Sequence, residues 1–233
     1  MYNMNCRIRY SETDSRGKLS MNGLLRLFQD VGYNHAIDRN LGMEYTKKTR
    51  CTWYLLSWQI CSINMPSAGQ EVIISTYLYD YQASLAYKSI VLKDLEGRLL
   101  AVGDTMWVYM NIDKQEPDVA PEGQWLDTDF DKKAEMPPMS RRITVPKDLK
   151  LTEKQFIKPY LIDTNGHANN VKLTELAMSI SGADAGCTTL RAEFKKQVQK
   201  DTFIYPYIAE KENGVVTLFK NEKGEILTVF EFL

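Results

Sequence analysis

An α+β chain made of one structural unit built twice is the organisation the sequence predicts. Three observations carry this: an amphipathic helix followed by several long strand-like runs, a proline-rich charged stretch in mid-chain, and the return of the same order of elements after it. The 233 residues are 44% hydrophobic and 25% charged, which suits one large globular domain or two small ones.

The elements of the first half follow from local pattern. Leu24, Leu27, Phe28 and Val31 recur at i, i+3, i+4 and i+7, so an apolar stripe runs along a helix. Ser20 fits the N-cap of that helix and Asn40-Leu41-Gly42 its stop. The runs 52–63, 71–80, 85–93 and 99–111 are rich in Tyr, Trp, Ile and Val. They are separated by turn residues such as Pro66, Gly69 and Glu96-Gly97, and read as strands of an antiparallel sheet.

From Asp113 to about Lys150 five prolines sit among charged residues, with a short ordered piece expected around Trp125. A strand is then expected over 156–162 and a second helical stripe at Leu173, Leu176, Ala177 and Ile180. Further strands are expected over 188–196, 202–210, 215–220 and 226–232. Aligning Asp14 with Asp163 also aligns Gly17 with Gly166 and Leu27 with Leu176, at a constant offset of 149 residues. Self-similarity at more than half a chain length argues for duplication. The expected division is 1–135 for the first unit, 136–150 for a linker and 151–233 for the second unit.

A formal net charge of −1 provides no global field for nucleic acid or an anionic membrane, so neither is expected as a partner. Cys6, Cys51, Cys61 and Cys187 show no metal-ligand spacing and read as reduced thiols. The start MYNMNCRIRYSETD lacks a signal-peptide core, and a cytoplasmic location is expected.

Chemistry concentrates in the segment 158–172. Asp163, Asn165 and His167 alternate just before a helix expected to begin near Asn169, and in an extended segment alternate side chains share a face. Such a set, with the donors of a helix N-terminus behind it, has what acyl thioester hydrolysis needs. One group deprotonates or orients water, and donors stabilise the oxyanion. The plainer alternative is an Asp-rich turn capped by Asn169 or Asn170. His35, the other of two histidines, reads as a packing residue on the first helix.

The run Asp163-x-Asn165-x-His167-x-Asn169-Asn170-Val171-Lys172 resembles the signature of the plant and bacterial acyl-acyl carrier protein thioesterases. The likeness extends through Asn34-His35, the 53–59 strand, the Pro66-x-x-Gly69 turn and the 107–111 strand end. It implies a double hotdog, in which two long helices are each wrapped by a largely antiparallel sheet, with one active site in the second unit. It also implies a cytoplasmic enzyme that releases fatty acid from acyl carrier protein, with no cofactor. Asp163, Asn165 and His167 match the catalytic triplet of the family. The family's further acidic residue falls at Gln197, whose carboxamide can hold water or His167 but cannot accept a proton as a base. Val198 follows, where some members have Cys.

In the first unit Arg16 and Lys18 replace Asn165 and His167, so that unit reads as catalytically degenerate. Leu24, Leu27, Phe28, Tyr54, Leu56 and Trp58 either line an acyl-chain pocket there or form ordinary core. An acidic carrier protein would be met by local basic clusters, the candidates being Arg141-Arg142, Lys195-Lys196 with Lys200, and the run 47–50. The glycines form no phosphate-cradling motif. Two other functions stay open: an acyl-coenzyme A thioesterase, and a non-catalytic acyl- or carrier-protein-binding module, which Gln197 keeps in view. A homodimer is one assembly the sequence leaves open.

Overall fold

The computed structural model describes residues 1–183 and 187–233. Its contacts divide the chain into two units, Met1–Leu56 with Ile60–Pro137, and Ser57–Gln59 with Pro138–Leu233.

In the first unit, helix α1 (Met21–Asp38) buries Leu24, Leu27, Phe28 and Val31, the stripe read from the sequence, and adds Leu25. Ser20 caps it, its hydroxyl accepting from the Gly23 N–H at 3.0 Å. The helix packs against strands β1 (Tyr2–Arg7) and β3 (Glu71–Gln82). Strands β2 (Cys51–Ser62), β4 (Leu85–Asp94) and β5 (Leu99–Asn111) complete a sheet in the order β1-β3-β4-β5-β2, in which β1, β3, β4 and β5 pair antiparallel. Gly103 on β5 is there for space. An added Cβ would lie 3.0 Å from the Phe28 ring, so the missing side chain lets helix and sheet close on each other. A short helix α2 (Met43–Thr49) follows α1. It has no buried residue, and without an apolar stripe it leaves no periodic signal in the sequence.

The stretch after β5 is more ordered than its prolines suggest. A two-residue strand β6 (Glu116–Pro117) pairs with β5, and a 3₁₀ turn forms at Asp127–Asp129. Beyond it Phe130 bridges Leu78 in parallel, and the Asp131 N–H donates to the Leu78 carbonyl at 2.9 Å.

The second unit repeats the plan on a smaller scale. Helix α3 (Asn170–Ser181) has 12 residues against 18 in α1, and Gly182 ends it in the left-handed region. It packs on β10 (Phe203–Lys211), β11 (Gly214–Lys220) and β12 (Ile226–Phe232). The antiparallel order is β9-β12-β11-β10, with β9 at Thr189–Phe194. Two-residue strands β7 (Lys150–Leu151) and β8 (Gln155–Phe156) pair with β10. Ile143 is buried with Val216, Leu218 and Val229, which ties the proline-rich stretch to this sheet. The inner face is aromatic: Phe230 lies edge-on to Phe194 and Phe219, and Trp58 edge-on to Phe194.

The strand expected over 156–162 is a correction. Pairing stops at Phe156 and a 3₁₀ turn occupies Pro159–Leu161, because Pro159 has no N–H for a ladder and its ring favours the first turn of a helix. Strand β9 likewise ends at Phe194, two residues before the expected end. No helix of the described residues is long and apolar enough to cross a membrane.

Candidate active site

The three alternating polar residues do not lie on the extended segment that their alternation predicts. They are carried by a tight turn. The Asp163 N–H donates to the His167 carbonyl at 2.9 Å and the Gly166 N–H to the Asp163 carbonyl at 3.1 Å, so Asp163 and His167 stand across from each other with Asn165 at the tip. Gly166 has φ +82°, a backbone conformation open to glycine at little cost, and this reverses the chain. Asp163 Oδ1 accepts from the Asn165 N–H at 2.8 Å, which fixes the carboxylate against the turn. Asn165 is exposed; Asp163 and His167 are half-buried.

Two backbone links hold the turn in the unit. The Ala168 N–H donates to the Val198 carbonyl, and the Asn169 N–H to the Leu161 carbonyl, each at 2.9 Å. His167 bridges Gln199 in antiparallel register, so Gln199 stands opposite the histidine, and Gln197 falls two residues earlier in line with Asn169. Gln197 is half-buried and lies past the end of β9, on the segment leaving the strand. Among the described residues no hydrogen bond joins the side chains of Asp163, Asn165, His167 and Gln197. The helix N-terminus is also less open than expected. Asn169 Oδ1 takes the N–H groups of Val171 and Lys172 at 2.9 and 3.3 Å, so Asn169 is the N-cap and uses donors that an oxyanion would otherwise find there.

The first unit contains the same turn. The Asp14 N–H meets the Lys18 carbonyl at 2.7 Å, the Gly17 N–H the Asp14 carbonyl at 3.0 Å, and the Ser20 N–H the Glu12 carbonyl at 2.9 Å. Each of these bonds reappears 149 residues later, and the Leu19 N–H to the Pro66 carbonyl corresponds to Ala168 and Val198. The chemistry differs. Asp14 accepts from the Lys18 and Arg16 backbones and, on Oδ2, from the Arg16 guanidinium at 2.9 and 3.0 Å. The hydrogen bond from the Lys18 N–H, foremost, and those from Arg16 hold its carboxyl below the usual carboxylate range. A carboxylate so occupied is a poor base.

The first unit also holds a buried charged cluster that no sequence motif announces. His35, read as a packing residue, is 0% exposed and joins two charged side chains. Its Nε2 lies 3.0 Å from Asp129 Oδ1, and its Nδ1 lies 3.1 Å from Lys88 Nζ. Arg39 donates to the same Asp129 oxygen at 2.6 Å, and the Leu126 N–H to Oδ2 at 2.9 Å. Trp125 covers the cluster, with Lys88 Nζ 5.0 Å from its ring centroid. Burial first, then the Lys88 ammonium, pushes His35 down to about 4, with Asp129 opposing. Burial pushes Lys88 down to about 8, again against Asp129. For Asp129 burial acts upward, but the hydrogen bonds from Arg39, Leu126 and His35 outweigh it and hold the carboxyl at about 2. At neutral pH the ammonium therefore donates to His35 Nδ1, and the neutral imidazole donates from Nε2 to Asp129. No local spacing links residues 35, 88 and 129, so no motif marks them.

Of the residues proposed as an acyl pocket, Leu24, Leu27, Phe28 and Trp58 are buried, while Tyr54 and Leu56 are half-buried. The basic clusters are partly neutralised: Lys47 pairs with Glu44, Arg50 with Asp113, Lys195 with Glu193 and Lys196 with Glu225. Among the described residues no three His, Cys, Asp or Glu side chains group as metal ligands would.

Two helix-and-sheet units, one keeping an Asp-Asn-His turn and the other an altered twin, define a double hotdog protein. A crystal structure of an acyl-ACP thioesterase from Bacteroides thetaiotaomicron matches with TM-score 0.86 at 17% identity, covering 99% of this chain and 96% of that one. The 12:0-ACP thioesterase from Umbellularia californica matches with TM-score 0.77 at 13% identity, covering 99% and 95%. No curated protein sequence is significantly similar. Residues 1–123 match the family model described as the acyl-ACP thioesterase N-terminal domain. The chain belongs to the acyl-ACP thioesterase family, and it is a thioesterase that hydrolyses fatty acyl-ACP thioesters.

Proposed function

We propose that hydrolysis takes place at the Asp163–His167 turn of the second unit, with Asp163, Asn165, His167 and Gln197 as its working groups and the first unit receiving the acyl chain. One observation carries the reading. The same turn occurs twice with matched backbone hydrogen bonds, and only the second copy keeps an imidazole, a carboxamide and a carboxylate not tied up by a guanidinium.

In this mechanism a water oxygen attacks the thioester carbonyl carbon while His167 or Asp163 takes its proton. The Asn165 carboxamide donates to the oxygen that becomes negative, a role left to it because Asn169 occupies the nearby helix donors. Collapse breaks the C–S bond, and the leaving thiolate takes back the proton. The products are a free fatty acid and the carrier thiol. Gln197 orients the water or the imidazole and does not accept a proton.

Two measurements test this. With one acyl group presented on acyl carrier protein and on coenzyme A, kcat/KM should be higher for the carrier-protein form; equal or reversed values would favour the coenzyme A reading. Asn165→Ala should lower kcat by about 10²–10³-fold with little change in KM, as loss of an oxyanion donor does. A rise in KM alone would make Asn165 a binding residue.

A further inference from the structure

We propose that Lys172 is a positioning residue for hydrolysis. From the first turn of α3 it holds the entrance of the Asp163–His167 turn and so sets where the Asp163 carboxylate stands. This role rests on the proposed placement of hydrolysis at that turn.

Each of the twin turns is entered from a 3₁₀ turn, at Tyr10–Glu12 in the first unit and at Pro159–Leu161 in the second. The two entrances are braced in different ways. In the first unit Glu12 is buried, and its carboxylate accepts from the Arg9 N–H at 2.8 Å and from the Arg9 guanidinium Nε at 2.9 Å. These bonds tie the 3₁₀ turn to its own start. At the repeat offset of 149 residues Leu161 stands for Glu12, so the second unit lacks this polar brace. At the same offset Lys172 stands for Gly23. An added Cβ at Gly23 would collide with the Glu12 carbonyl oxygen, so in the first unit the 3₁₀ turn lies directly against the helix. In the second unit a side chain makes the connection: the Lys172 ammonium donates to the Tyr160 carbonyl at 2.5 Å. An acid lost from the 3₁₀ turn is answered by a cation gained on the helix.

The position of Lys172 is one that helix electrostatics disfavours. The first turn of α3 carries the positive end of the helix dipole, where a further cation is destabilising. The charge-assisted bond to the Tyr160 carbonyl offsets that cost. The next carbonyl, that of Leu161, accepts from the Asn169 N–H at 2.9 Å. Two successive carbonyls of the 3₁₀ turn are therefore fixed to the start of α3, and Asp163 follows two residues later. The exit of the turn is held separately, by the bridge from His167 to Gln199 and the bond from Ala168 to Val198. Lys172 thus acts on the Asp163 arm, and its ammonium has no part in the proton transfers.

Lys172→Met keeps the length of the side chain and removes the ammonium. On one acyl-ACP it should lower kcat about 10- to 100-fold per folded molecule and leave KM nearly unchanged, since a shift of about 1 Å at a reacting group costs rate on this scale. Lys172→Arg can donate to the same carbonyl and should recover most of the loss. In amide NMR spectra of Lys172→Met the signals of Asp163, Asn165 and Gly166 should move, while those of the twin residues Asp14 and Gly17 stay in place. An unchanged kcat, a lower Tm with kcat per folded molecule intact, no recovery with Lys172→Arg, or turn signals that do not move would each overturn the proposal. His167→Ala measured beside these variants separates the two levels. An inactive His167→Ala with a fully active Lys172→Met removes Lys172 alone; a fully active His167→Ala removes the turn, and Lys172 with it.

Discussion

His167→Ala is expected to lower turnover of acyl-ACP thioesters by roughly 10²–10⁴-fold, the range that a positioned acid–base group supplies. The fold should survive. His167 is half-buried, among the described residues its side chain has no hydrogen bond to Asp163, Asn165 or Gln197, and the turn is held by backbone bonds that alanine retains. Single-turnover measurement on one acyl-ACP, with far-UV circular dichroism as the folding control, reads both parts. Because the twin turn of the first unit offers Lys18 in place of His167, it has no imidazole with which to rescue the rate. A folded His167→Ala enzyme working near the parental rate would remove this histidine from the mechanism and leave Asp163 as the base.

Asp129→Ala is expected to cost about 3–5 kcal/mol, the usual consequence of removing one partner from a buried charge pair. In a chain of 233 residues that lowers Tm by roughly 6–20 °C. Asp129 is fully buried and takes three hydrogen bonds, from His35, Arg39 and the Leu126 N–H. Without it the buried His35–Lys88 pair and the Arg39 guanidinium lose the carboxylate that offsets their charge, and the 3₁₀ turn loses its link to α1. Acid should reproduce part of this effect. His35 titrates at about 4 in the fold against 6.5 ordinarily, so between those values the unfolded chain binds the extra proton. Stability therefore falls as pH drops from 6.5 toward 4, and falls further as Asp129 protonates on approach to about 2. Lys88 acts in the alkaline window, where stability attributable to it rises from about pH 8 to 10.5. Thermal melts from pH 4 to 7 should show a shallower acid slope for His35→Gln than for wild type; superimposable slopes would sink the assignment of this titration to His35.

The features legible in the sequence share one property: their signal is local. The α1 stripe, the Ser20 cap, the β2–β5 and β10–β12 runs and the duplicated Asp-x-x-Gly turn each depend on residues a few positions apart, or on one repeat offset, and backbone geometry converts such spacing directly into structure. Asp163, Asn165, His167 and Gln197 were nameable for the same reason, as a short motif and its resemblance.

What only the tertiary structure decided depends on which distant groups are brought together. Alternation at 163, 165 and 167 suggested an extended segment, but Gly166 turns the chain, and the opposition of Asp163 and His167 is a product of that reversal. Whether the helix donors behind the turn were free depended on where the Asn169 side chain pointed. The identity of His35 was readable, but its meaning was not, since residues 88 and 129 come from a strand and a proline-rich stretch that share no pattern with α1. Burial of charge is a balance of desolvation against partners, and the sequence lists the charges without saying which of them will share an interior.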